Sequence, residues 1–210
     1  MGILHKRENR FNVAEEKFGE VLAKIKSGKK FLTNEDETTV RFEMGLMLDG
    51  QNKLEAALNE FQYVKNNAPT LSYYAWSASF QVARTHLALW LASPKKDELH
   101  LEAADKGFDL WLETNWHNEP MKIWGYYHQV CVQREKIRLG QSTGETKQSQ
   151  VHKLNEVTKG FREAASMQKG PRLYELRYTA FFLTSDAYQH FPGEAVKCGL
   201  DDLLEEFKIR

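Results

Sequence analysis

The sequence predicts an all-α protein of antiparallel helical hairpins, about eight or nine helices within 210 residues. Three observations carry that expectation. Apolar residues recur at the three- and four-residue spacing of a helix face. Breakers at "SGKKFLTNED", "DGQ", "NAPT", "SPKKDE", "NEP", "KGP" and "FPGE" cut the chain into helix-length segments where hairpin turns would fall. No alternating Val/Ile/Thr run bounded by Asn-Gly or Gly-Gly supplies a strand.

The elements follow in order. The first helix spans residues 10 to 27 and carries Ala14, Phe18 and Val21 on one face. "EDETTVRFEMGLMLDG" (35–50) comes next, then "AALNEFQYVKNNAPT" (56–70), with Ala57, Phe61 and Val64 at i, i+4 and i+7 and Pro69 as a stop. "LSYYAWSASFQVARTHLALWLA" (71–92) precedes a helix bearing Ala104, Phe108 and Trp111. "PMKIWGYYHQVCVQREKIRLG" (120–140) is followed by the polar "GQSTGETKQSQ" (140–150), read as a mobile loop. The C-terminal part, 151–210, offers Val157, Phe161 and Ala164 on one helix and "RLYELRYTAFFLTSDAYQHF" (172–191) as another.

One pattern recurs four times: a small residue, Phe four positions on, and an apolar residue three beyond that. It appears as Ala14/Phe18/Val21, Ala57/Phe61/Val64, Ala104/Phe108/Trp111 and Val157/Phe161/Ala164, starting 43, 47 and 53 residues apart. The small residue lets a neighbouring helix approach and Phe fills the space one turn on, so each copy calls for a partner helix. The whole of 1–210 is read as one domain, with its clearest repeats over 38–119.

Residues 38–71 resemble the tetratricopeptide repeat family. Met44-Gly45 matches the family's Leu-Gly in the first helix, Ala57 and Phe61 match the Ala and Phe of the second, and Pro69 matches the closing Pro. The family's aromatic residues in the first helix are replaced by Arg41 and Leu48, and a second, elongated copy places Ala78-Ser79 34 residues after Met44-Gly45. The resemblance implies a right-handed superhelix whose first helices line a groove for other proteins, here Phe42 and Leu46 from one repeat and Trp76 and Phe80 from the next. These positions lack the Lys and Asn with which some members grip a C-terminal carboxylate.

Charge excludes other classes. Lys plus Arg and Asp plus Glu both number 29, so no global field draws in nucleic acid or an anionic membrane. No apolar run of about 18 residues predicts membrane insertion, and the N-terminus has no secretory apolar core. "MGILHK" places Lys6 where a myristoylation site wants Ser or Thr, and the "KDEL" at 96–99 is internal. Two widely spaced cysteines, Cys131 and Cys198, fit buried thiols in an intracellular, reducing compartment.

Motifs for phosphate cradles, nucleophile elbows and zinc proteases are missing, so neither catalytic nor cofactor-binding residues are expected. His128, Cys131 and Glu135 share a helical face but lack the partners that complete a metal shell, and no metal site is assigned. Glu113 and His117 read as a solvent-facing pair. The aromatic-rich 108–128 region, with Trp111, Trp116, Trp124, Tyr126 and Tyr127, reads first as packing; its alternative is the pocket of a helical enzyme or small-ligand binder. A helical-repeat RNA binder ranks third, because its repeats need a regular period of about 35 residues. The expectation is a non-catalytic scaffold, assembly factor or accessory subunit that binds other proteins.

Overall fold

The computed structural model describes residues 11–28, 34–95, 97–114, 119–139 and 147–166, and among these the chain is helical with no strand. Among the described residues seven helices follow one another: α1 (Phe11–Lys26), α2 (Asn34–Gly50), α3 (Leu54–Asn67), α4 (Tyr73–Ala92), α5 (Glu98–Glu113), α6 (Glu119–Arg138) and α7 (Lys147–Ser166). The further helix expected over 172–191 lies outside the described residues. The polar stretch 140–150 is shorter as a connection than its composition suggests, since α7 already begins at Lys147; residues 140–146 lie outside the described residues. The contacts gather into two compact units, Met1–Gly107 and Phe108–Arg210, with the border inside α5.

Helix ends follow local chemistry. After α1, Gly28 adopts φ 71° and its N–H reaches Ile25 O at 2.9 Å, a left-handed stop that glycine takes without strain. After α2 the left-handed residue is Asn52 (φ 59°), two positions beyond Gly50. The Asn52 N–H donates to Asp49 O at 2.8 Å and the Lys53 N–H to Leu48 O at 2.9 Å, the paired bonds of a Schellman cap. Ala68, which precedes Pro69, is extended (ψ 149°), because the proline ring disfavours a helical residue before it. The Ser72 side chain then accepts the Ala75 N–H at 3.1 Å and starts α4. Ser93 is extended before Pro94 and ends that helix. At the start of α5, Asp97 Oδ1 accepts the Leu99 N–H at 3.1 Å.

The fourfold pattern falls on every second helix, α1, α3, α5 and α7. Ala14, Phe18, Ala57, Phe61, Val64, Ala104, Phe108, Trp111, Val157, Phe161 and Ala164 are all buried, and Val21 is half-buried. Within the first unit α2 packs on α3 and α3 on α4, while α1 covers α2. Their shared core holds Phe18, Phe42, Met47, Phe61, Ala78 and Val82. A Cβ on Gly45 would stand 2.6 Å from Phe61 Cε1, so only glycine lets α2 lie this close to the ring. Helix α4 is buried on nearly all sides, which explains why its sequence is apolar round the whole circumference. Within the second unit α6 packs on α7, with Ile123, Phe161 and Ala164 at the centre.

Candidate functional site

Arg41 stands where the tetratricopeptide resemblance wants an aromatic residue, and it joins α2 to α3. Its guanidinium donates to Glu37 Oε1 and to Glu60 Oε2, both at 2.9 Å, and lies 3.9 Å from the centre of the Tyr63 ring. Burial works against the Arg41 charge, but hydrogen bonds to Glu37 and Glu60 outweigh it and raise its pKa. Burial likewise works against the Glu37 carboxylate, and the bonds from Arg41 and Tyr63 hold its pKa below the ordinary value. The cluster is a structural clamp whose donors and acceptors are already engaged.

The four expected groove residues do not line an open strip. Phe42 is 5 % exposed, Trp76 7 % and Phe80 8 %, and Leu46 is half-buried against the core of the first unit. Phe42 turns inward: its ring meets Phe61 of α3 edge-on at 5.8 Å and Tyr74 of α4 at 5.5 Å. The positions carried over from the repeat family therefore act as packing within and between hairpins. The bulky aromatic side chains at these positions are taken up by the packing instead.

Apolar surface lies elsewhere. Leu71 is 85 % exposed at the α3–α4 turn with Tyr73 (54 %) beside it, and Leu91 (47 %) and Leu99 (72 %) flank the α4–α5 connection. Sequence reading missed these residues because a leucine in a turn gives no periodic signal; Leu71 directly after "NAPT" was the available clue.

In the second unit the aromatic-rich region is mostly packing. Trp111 is 2 % exposed, Trp124 meets Tyr127 edge-on at 6.2 Å, and Trp116 and His117 lie outside the described residues. Tyr126 is different. With Asp109, Leu112, Glu113, Lys153, Glu156 and Val157 it lines a cleft of about 320 Å³. Across it Lys153 Nζ holds Asp109 Oδ2 at 2.7 Å, and the buried Gln129 donates to Asp109 Oδ1 at 2.5 Å. The lining offers carboxylates, an ammonium and a phenol, with no Ser, Cys or His among them.

The His128, Cys131 and Glu135 face separates into three settings. His128 Nδ1 bonds Trp124 O at 2.7 Å and its ring stacks on Phe108, while Glu135 pairs with Arg134 at 2.8 Å. Burial pushes the Cys131 thiol up to about 11, away from the thiolate a metal would need. Among the described residues no group of three or more His, Cys, Asp or Glu could hold a metal ion, and no helix is long and apolar enough to cross a membrane.

No family model, curated protein or solved structure matches the chain.

Proposed function

We propose that this chain is a tetratricopeptide-like array of helical hairpins, coiled as a right-handed superhelix, that acts without catalysis by binding other proteins. Its role is that of a scaffold, assembly factor or accessory subunit inside the cell, where Cys131 stays reduced. The observation that supports this most is the rhythm of the seam, in which small residues and Phe are buried on alternate helices α1, α3, α5 and α7. A fold made of near-equivalent hairpins builds extended surface, and extended surface serves partners.

Because Phe42, Trp76 and Phe80 are committed to the core, the contact is sought at exposed apolar residues, foremost Leu71 with Tyr73. The chain is purified from its native source under mild conditions, and a photo-crosslinker at position 71 identifies what touches it. One partner crosslinked in stoichiometric yield is expected. Leu71→Asp should weaken that association about tenfold, as for an interface apolar residue, with helicity and thermal midpoint unchanged. A strictly monomeric chain that crosslinks to nothing overturns the proposal.

A second reading draws on the cleft around Tyr126, which has the scale of a small-ligand site. It ranks below the first because Lys153 already neutralises Asp109 within the cleft.

A further inference from the structure

Helices α4 and α5 form a hairpin about the connection centred near Ser93, and His86 and His100 stand equally far from Ser93 along the chain. Antiparallel helices bring such residues opposite one another. Here the two Nδ1 atoms are 2.9 Å apart, with ring centres 5.2 Å apart and planes tilted by 38°. That separation of centres is close to the longest that two imidazoles touching at 2.9 Å can have, so each ring points its Nδ1 straight at the other. This is the geometry of an N–H···N hydrogen bond. A shared metal ion, about 2.0–2.1 Å from each nitrogen, would instead need ring axes that converge off that line.

Such a bond requires one nitrogen to donate and the other to accept. The pair can therefore be neutral or carry one extra proton, but not two. With both rings charged, two N–H groups would confront each other, each bearing a positive charge. The charged groups that weigh on His86 from beyond its own helix are His100 and Lys65, both basic, while α5 also carries the carboxylates of Glu98 and the buried Asp105. From α3 the charged group facing His86 is Lys65, a further cation. On α2, Asp49 is held by Arg84 of α4 at 2.6 Å. In the connection, the Asp97 carboxylate is turned to the Leu99 N–H, and on α5 Glu102 faces Lys106 at 3.9 Å.

We propose that His86 and His100 form a proton-operated clasp, which holds the start of α5 against α4 at neutral pH and releases it when both imidazoles are charged. The clasp rests on the hairpin geometry and not on the protein-binding reading. Release frees the end of the hairpin where Leu91 and Leu99 already face solvent and where Trp90, one turn beyond His86, is buried. Burial, reinforced by His100 and Lys65, keeps the pKa of His86 below 6.5. Stability from the neutral ring is thus fully present above the unfolded value of 6.5 and is lost as pH falls below it toward the folded value.

The test is amide exchange of the full chain near pH 7.5 and near pH 5.5, corrected for intrinsic exchange rates. Protection over residues 86–104 should fall about tenfold on acidification, because pH 5.5 lies one unit below the unfolded value of 6.5, while α2 and α3 change less. In His100→Gln, which keeps hydrogen-bonding capacity but cannot take a proton, the fall should be smaller than in the unmodified chain, with burial of His86 supplying what remains. Proton NMR of the unmodified chain supplies a reading independent of any variant's folding: one of the two imidazoles should take its proton only below the ordinary value. Equal protection at both pH values, the same fall in His100→Gln, or two independent titrations near 6.5 would each overturn the clasp.

Discussion

In the unit Met1–Gly107, helices α2 and α3 meet where Gly45 lies against the Phe61 ring, and the core around it is a continuous apolar cluster from Ala14 to Leu89. In the unit Phe108–Arg210, a similar glycine contact exists, since a Cβ on Gly125 would stand 2.5 Å from Trp111 Cζ3. Yet the helices there also meet through polar groups. Gln129, Gln133, Glu135 and Thr158 are buried, and Asp109 of α5 receives Gln129 of α6 on one oxygen and Lys153 of α7 on the other. The first unit has polar links too, Arg41 to Glu60 and Arg84 to Asp49, but they border a continuous carbon cluster, whereas the link in the second unit runs through the fully buried amide of Gln129. A carbon seam gains from every methylene buried and tolerates no void. A polar seam gains little net free energy but penalises any arrangement that leaves its groups unmatched.

The sharpest way to break this comparison is to empty the carbon seam. Phe61→Ala should cost about 3–5 kcal/mol in urea unfolding, because the ring is fully buried and Gly45 cannot move in to fill the space it leaves. A cost below about 1 kcal/mol would mean that Phe61 is not at the centre of the seam.

Trp76→Ala comes next, with an expected loss of about 3 kcal/mol. The residue is 7 % exposed in the chain by itself, so its truncation should lower the unfolding midpoint before it touches any partner. An unchanged midpoint together with weakened partner binding would restore Trp76 to the surface role that the repeat resemblance implies.

Those two residues also show how far the sequence could be read. Helix positions were legible because burial imposes a period: α2, α4 and α6 lie within two residues of the segments marked by breakers, and the seam residues fall on alternate helices. Register within the hairpin was legible too, through Gly45 and Phe61. The direction of the aromatic residues on α2 and α4 was not. A first-helix aromatic faces a groove only if the next hairpin leaves room, and Tyr74 instead reaches Phe42 edge-on at 5.5 Å. The turn after α2 likewise passed over Gly50 for Asn52, because cap bonds to Leu48 and Asp49 fix the left-handed residue by position rather than by type. The Asp109–Gln129–Lys153 link and the facing histidines join residues on different helices, and no single-chain period reports such partners.

The polar seam yields the smallest effect and a diagnostic asymmetry. Gln129→Leu keeps the volume of a fully buried side chain and removes its amide, while Asp109 retains Lys153 at 2.7 Å and has a side chain 41 % exposed. Water can therefore replace the lost donor, and the change should cost no more than about 1 kcal/mol in urea unfolding. Asp109→Leu is the harsher change although Asp109 is the more exposed residue. It removes the acceptor of a buried Gln129 N–H and leaves the Lys153 ammonium facing an apolar side chain, with an expected cost of about 2–3 kcal/mol. The order Asp109→Leu worse than Gln129→Leu is what a seam governed by polar matching requires. The reverse order would show that volume at position 129 matters more than its hydrogen bond, and that the second unit is held together by carbon contacts in the same way as the first.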